Sequence, residues 1–247
     1  MKNDIKEIRV LPTVTTISNL DPAISDSNWR SKVKEICDLN IEEIALFPTC
    51  LNGEERRELY KLLENSPVRK IPFVHLRGDM QDKEIEYLIK NYGTEVFNIH
   101  SEKEYPYPKN YLKFKEKICI ENVYYPLDEE EIKRFSGICL DFSHLENTRL
   151  LYREKFEHNL RVMEKFSVKC NHISAIRKEK WLDSESKYDK HNIRHDFHYL
   201  KELSELDYLK NYPLKYFSRY IAIELENSIK EQLEIKKYLE KIIGSLK

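Results

Sequence analysis

Short apolar runs alternate along the chain with longer, highly charged segments whose apolar residues recur at helical spacing. Eight such runs can be counted: IRVLPTVTTI, EEIALFP, KIPFVH, VFNIH, KICIE, GICLD, VKCNHIS and YIAIELE. Strands and helices that alternate in this way are typical of parallel βαβ units. Eight units within 247 residues predict a single α/β domain, residues 1–247, folded as a (β/α)₈ TIM barrel.

The segments between the runs predict helices, among them one long helix over 145–167 and others over 111–117 and 197–212. The longest irregular stretch is predicted over 177–195, between strands 7 and 8. Loops of this length inside compact domains are usually functional or disordered. This one follows the C-terminal end of a strand, where the active sites of barrels form.

Three successive strands end in one pattern, a cysteine followed two residues later by a side chain that can bind a metal. The pairs are Cys119 and Glu121, Cys139 and Asp141, and Cys170 and His172. Residues two apart in a strand point to the same face, so the pattern predicts that the three metal-binding side chains converge. We interpret the cysteines as packing of the barrel interior, one layer below the site.

Other polar residues stand at or just after strand ends: His75, His100, His144, Asp196, His198 and Glu224. Carboxylates packed together at a barrel mouth would repel one another and would be costly to desolvate. A divalent metal removes that cost and accepts neutral imidazoles as ligands. We therefore predict a metal site at the C-terminal ends of the strands. The intervening residues should face the surrounding helices: Val74, Ile99, Ile120, Leu140 and Ile223.

Composition narrows the classes of function. Lys and Arg number 42 and Asp and Glu 43, so the formal net charge of −1 gives no global basic field for nucleic acid, although a local patch could still suffice. Glycine-rich phosphate loops are absent from the sequence. It contains no apolar run long enough for a membrane span, no signal-peptide core at its start and no C-x-x-C pair among its five cysteines. We expect a cytoplasmic protein with reduced thiols and no membrane partner.

The segments ICIEN, CLDFSH, NHIS and IAIELE, in this order and spacing, resemble the strand 5 to strand 8 motifs of the xylose-isomerase-like TIM barrel superfamily. The resemblance runs over nearly the whole chain. The sugar isomerases and epimerases of this superfamily usually hold one divalent metal. The resemblance implies that the corresponding ligands in this chain are Glu121, Asp141, His172 and Glu224. The endonuclease IV-type apurinic/apyrimidinic endonucleases of the superfamily hold three zinc ions with nine ligands, and all nine positions are filled in this chain.

For the endonuclease branch, the resemblance implies three ligand sets that share one residue. The first set is His75, His100 and Glu121; the second is Glu121, Asp141, His172 and Glu224; the third is His144, Asp196 and His198. Two departures concern other residues of the motifs. Ser174 and Ala175 stand where an Asn or Asp usually follows the strand 7 histidine, and Leu76 stands where an aromatic residue usually follows the strand 3 histidine.

The ligand pattern favours a phosphodiesterase, with up to three zinc ions, that cleaves damaged DNA at abasic sites through a metal-bound hydroxide. Mn, Mg or Fe are alternatives to zinc. Glu121 and Glu224 would be the catalytic carboxylates. Phosphate and base contacts are predicted from Arg77, Arg177, Lys178, Lys180, Arg194 and Trp181, with Tyr105, Tyr107, Tyr124 and Tyr125 as further stacking surfaces.

Two alternatives remain open. One is a sugar or sugar-phosphate isomerase or epimerase with one metal, in which Glu121 and Glu224 act as acid and base on a small sugar. The other is an oxidase that uses clustered iron in the same ligands, or a metal-binding barrel that is not an enzyme. The oligomeric state cannot be read from the sequence.

Overall fold

The computed structural model describes residues 7–16, 28–183 and 193–246, and eleven strands lie in these ranges. They are β1 (Arg9–Leu11), β2 (Thr13–Thr15), β3 (Glu43–Phe47), β4 (Lys70–His75), β5 (Val96–Ile99), β6 (Ile118–Glu121), β7 (Gly137–Asp141), β8 (Val168–Ile173), β9 (Ala175–Leu182), β10 (Ile193–Phe197) and β11 (Tyr220–Ile223). Nine of them form one parallel sheet in the order β1-β11-β8-β7-β6-β5-β4-β3-β2.

The sheet curls into a nearly closed barrel because its two end strands are halves of one chain segment. Pro12 separates β1 from β2, and proline has no N–H to donate to a neighbouring strand. β1 then pairs with β11, and β2 pairs with β3. The first of the eight predicted strands is therefore observed as two short strands, and the predicted TIM-type α/β barrel is confirmed.

Helices flank the barrel strands. They are α1 (Trp29–Asp38), α2 (Gly53–Glu64), α3 (Asp82–Tyr92), α4 (Glu129–Ile132), α5 (Phe142–Leu151), α6 (Arg153–Met163) and α7 (Ile229–Ser245). Three 3₁₀ helices span Lys109–Lys117, Leu203–Asn211 and Leu214–Tyr216. None of the helices in the described ranges is long and apolar enough to cross a membrane.

Three sequence predictions of local structure were wrong. The predicted helix over 145–167 is two helices that meet at Tyr152, whose φ of −139° and ψ of 73° lie outside the helical region. The helices predicted over 111–117 and 197–212 are 3₁₀ helices, the second confined to Leu203–Asn211. It ends before Tyr212, which is extended because the α conformation is disfavoured before Pro213. Much of 177–195 is not a loop, because β9 and β10 pair as an antiparallel hairpin. Residues 184–192 of that stretch lie outside the described ranges.

The predicted alternation of strand faces is confirmed. The inward-facing residues form one buried cluster: Leu11, Ala45, Phe47, Phe73, Val96, Cys119, Cys139, Cys170, Tyr220 and Ala222. The residues predicted to face the helices belong to a second, larger cluster that includes Val74, Ile99, Ile120, Leu140 and Ile223. One packed layer therefore fills the interior of the barrel, and the other lies between the strands and the helices. The strand-end side chains extend the inner layer toward the C-terminal ends of the strands.

The register between strands is staggered, and this corrects the simple picture of a cysteine layer beneath a ligand layer. Glu121 on β6 pairs with Cys139 on β7, whereas Asp141 on β7 pairs with His172 on β8. Strands of a closed barrel must be offset in this way. Cys139 is consequently the cross-strand neighbour of a predicted ligand.

Candidate metal centre

Four acidic and imidazole side chains meet where β6, β7, β8 and β11 end. Glu121, Asp141, His172 and Glu224 each offer a ligand atom, and these atoms lie within 4.8 Å of one another. Asp141 and His172 are fully buried, and Glu121 is 2% exposed. The structure thus brings together the set predicted for a single metal, at the C-terminal mouth of the barrel.

The atoms of this group converge without satisfying one another. His172 Nδ1 lies 3.1 Å from Glu224 Oε2 and 3.3 Å from Glu121 Oε1, yet neither contact has the geometry of a hydrogen bond. Within the described ranges, both ring nitrogens of His172, Asp141 Oδ2 and Glu224 Oε2 have no hydrogen-bond partner. Buried polar atoms are nearly always paired, so unpaired atoms that point at one place fit a bound cation.

A second group shares Glu121 and adds two histidines. His75 Nε2 lies 3.2 Å from Glu121 Oε2, and His100 Nε2 lies 3.6 Å from the same oxygen. The two Nε2 atoms are 3.1 Å apart. His75 Nδ1 lies 2.8 Å from the carbonyl oxygen of Leu76, to which it donates, so its Nε2 is left as the lone-pair nitrogen that faces the site.

Glu121 therefore stands between two ligand groups and presents one oxygen to each. Its Oε1 faces His172, and its Oε2 faces His75 and His100. The side-chain amide of Asn98, which is fully buried, donates to Oε2 over 2.6 Å. A carboxylate held in this orientation is suited to bridge two cations.

Without a cation, protonation of His172 offsets part of the negative charge. Burial opposes the charged imidazole, but Glu121 and Glu224 outweigh it and raise the pKa of His172 well above its usual value. Burial likewise favours a protonated Glu121, but His172 and His100 outweigh it and lower the pKa of Glu121 well below its usual value. For Asp141 burial prevails, and its pKa is raised. A cation would replace the imidazolium proton.

The third predicted set is only partly assembled. His144 Nδ1 lies 2.7 Å from Asp196 Oδ2, but the ring centroids of His144 and His198 are 6.5 Å apart. These three residues do not form one of the described groups whose ligand atoms all lie within 4.8 Å of one another. Burial opposes the charged form of His144, yet Asp141 and Asp196 raise its pKa to about 9. The structure therefore pairs His144 with Asp196 and places the ring of His198 farther away.

A cavity of about 670 Å³ opens above the two assembled groups. Its wall includes seven of the nine predicted ligands, namely His75, His100, Glu121, His144, Asp196, His198 and Glu224. It also includes Arg77, Tyr105, Tyr124, Trp181 and Arg194, which were predicted to contact substrate. The volume is typical of a site for a small molecule or for one extruded nucleotide.

Five of the predicted substrate contacts do not line this cavity. Arg177 is 6% exposed, donates to Glu205 Oε1 over 2.8 Å and stacks on the ring of Phe197, so its guanidinium serves the packing of the hairpin. Lys180 is exposed on β9 and does not line the described cavity, and the same holds for Lys178. Tyr107 and Tyr125 are not among the lining residues either.

Arg194 is held at the cavity wall by residues that the sequence motifs did not reveal. Its guanidinium stacks over the ring of Tyr124, with Cζ 4.3 Å from the centroid, and its Nε lies 3.6 Å from Asp183 Oδ2. The Tyr124 hydroxyl donates to Asp183 over 2.9 Å. Asp183 directly follows β9 and belongs to no motif, so only the pairing of β9 with β10 places it here.

Comparisons with known proteins add no functional argument. No family model matches the chain, and a search of curated proteins gives no significant match. Among solved structures, an uncharacterised protein from Parabacteroides distasonis is similar with a TM-score of 0.46 and 14% identity, over 95% of this chain and 98% of that one. AsbF from Bacillus anthracis, described as the probable 3-DHS dehydratase involved in petrobactin synthesis, is similar with a TM-score of 0.37 and 12% identity, over 96% and 97%. These scores are too low to transfer a ligand or a reaction.

Proposed function

We propose that the chain is a metal-dependent phosphodiesterase in which Glu121 bridges two divalent cations. The observation that carries the proposal is the division of the Glu121 carboxylate, with Oε1 toward His172 and Oε2 toward His75 and His100. A site for one metal, held by the Oε1 side of Glu121, would not require two imidazoles next to Oε2. Paired cations are characteristic of enzymes that displace phosphate esters.

In this proposal some residues bind the two cations and others orient those ligands. His75, His100 and Glu121 would hold one cation, and Glu121, Asp141, His172 and Glu224 the other. When bound, the cations would supply an activated water and neutralise charge on the phosphoryl group. Asn98 fixes the rotamer of Glu121, and the carbonyl of Leu76 fixes the tautomer of His75. Imidazole and carboxylate donors together favour zinc over magnesium, with Mn and Fe as alternatives.

Abasic-site DNA is the substrate that the resemblance to endonuclease IV-type enzymes suggests, and the cavity wall supports a phosphate ester. Arg77 and Arg194 place two guanidinium groups on that wall, where they could bind phosphate oxygens. Trp181, Tyr105 and Tyr124 provide aromatic surfaces beside them. His144, Asp196 and His198 would need to rearrange to hold a third cation.

A second candidate is a sugar isomerase or epimerase with a single metal. It is favoured by the completeness of the four-residue group on its own and by a cavity sized for a small molecule. Glu121 and Glu224 would then move a proton between adjacent carbons of a keto-sugar. His75 and His100 would contact substrate hydroxyls instead of a cation.

Incubation of the zinc-loaded protein with a duplex that carries one abasic site tests the proposal. Wild type should nick the strand at that site, and His100→Ala should abolish nicking. His158→Gln is the matched control, because His158 lies outside the site and contacts the carbonyl oxygen of Leu127. Absence of nicking together with exchange of the α-proton of a keto-sugar with solvent would instead establish the isomerase.

A further inference from the structure

The thiol of Cys139 lies against the proposed metal site. Cys139 is the cross-strand partner of Glu121, it points into the barrel and it is fully buried. Its Sγ lies within 4.8 Å of ligand atoms of both Glu121 and His172, which are themselves within that distance of each other. The stagger of β6 and β7 therefore places a sulfur atom among the oxygen and nitrogen donors.

His172 provides an independent indication of a ligand at this point. Its side chain is fully buried, and neither of its ring nitrogens has a hydrogen-bond partner in the described part of the chain. A buried imidazole with both nitrogens unpaired is costly. A cation bound beside Cys139 would satisfy one of them.

We infer that Cys139 is a thiolate ligand of the cation held by Glu121 and His172. The inference rests on the proposed metal site and adds a soft donor to it. Coordination breaks the S–H bond, the sulfur electron pair binds the cation and the proton leaves to solvent. Soft ligands select zinc, cobalt or iron over magnesium and manganese, so the thiol would set the metal preference of the site.

Cobalt spectroscopy on the purified protein tests the inference directly. Titration of the metal-free chain with Co²⁺ should produce d–d bands in the visible and a thiolate-to-cobalt charge-transfer band in the near ultraviolet. Cys139→Ser and Cys139→Ala should each lose the charge-transfer band and keep the d–d bands. The alanine variant serves where a buried serine hydroxyl impairs folding. Cys119→Ser is the matched control, because Cys119 is equally buried in the same inner cluster.

The outcomes separate this inference from the metal site on which it rests. Loss of the near-ultraviolet band in both Cys139 variants and its retention in Cys119→Ser support a thiolate ligand at Cys139. Visible cobalt bands without any charge-transfer band in wild type would overturn the inference and leave the metal site intact. Absence of every cobalt band would overturn both. Retention of the charge-transfer band in Cys139→Ala would show that another thiol binds, which also overturns it.

Discussion

Asn98 offers the sharpest test of how the chain orients its bridging carboxylate. The Asn98 amide donates to Glu121 Oε2 over 2.6 Å at a fully buried position, and Asn98→Ala removes this bond. A hydrogen bond to a charged group contributes about 1.5–3 kcal/mol. Loss of a group that orients a metal ligand typically weakens metal affinity by about 10–100-fold. We expect a loss of zinc affinity in that range.

The chain supplies a matched control for this change. Asn171 is also a fully buried asparagine on a barrel strand, but its amide donates to the carbonyl oxygens of Leu140 and Tyr216, away from the metal centre. Asn171→Ala should lower the free energy of unfolding by about 1–3 kcal/mol, because it leaves buried polar groups unpaired. It should leave zinc affinity unchanged.

Competition with a chromophoric chelator measures zinc affinity for wild type and both variants, and urea denaturation measures their stability. The prediction is reduced zinc affinity for Asn98→Ala alone and reduced stability for both variants. Zinc affinity of Asn98→Ala within twofold of wild type would refute it. An equal loss of affinity in Asn171→Ala would also refute it, since the effect would then follow from stability and not from Glu121.

Three further outcomes follow from the same structure. Gly137→Ala should lower the free energy of unfolding in urea by at least about 1–3 kcal/mol, because Gly137 has φ +145° and an added Cβ would contact the Ser167 carbonyl oxygen; wild-type stability would contradict this. Lys32→Met should lower the free energy of unfolding by about 3–5 kcal/mol in the same assay, because it removes the cation of a buried ion pair in which Lys32 Nζ lies 2.7 Å from Glu226 Oε2. Lys32→Met combined with Glu226→Gln should recover part of the loss. Zinc at a hundred times the dissociation constant of a site should stabilise the fold by about 2.7 kcal/mol for each site filled. It should raise the melting temperature by about 5–10 °C per site, reversibly with EDTA, and an unchanged melting temperature would contradict binding to the native state.

Much of the barrel could be predicted because each strand carries its own apolar run. The alternation that sends Ile120 outward and Cys119 inward can be read within one strand, and the structure confirms it. Helix type could not be read in the same way. Residues 203–211 have an amphipathic pattern, but tertiary packing and Pro213 produce a 3₁₀ helix. β9 and β10 pair with each other, and their sequence is too polar to have predicted a strand.

The candidate centre could also be predicted only in part. Strand-end positions were enough to predict that Glu121, Asp141, His172 and Glu224 converge, because each side chain's direction follows from the alternation. The offset between neighbouring strands could not be predicted from the sequence of any single strand. Stagger determines that Cys139 neighbours Glu121, and the hairpin determines that Arg177 packs on Phe197 while Arg194 lines the cavity. Such contacts depend on register and loop geometry, which single-strand patterns do not encode.

Metal content tests the central claim that Glu121 joins two cation sites. The metal-free protein should be dialysed against a known concentration of zinc and its bound metal measured by mass spectrometry. Wild type should bind two zinc ions per chain, His75→Ala combined with His100→Ala should bind one, and Glu121→Ala should lose at least one of the two. A single zinc in wild type that survives the double histidine change would contradict the bridge. No bound metal at all would contradict the centre itself.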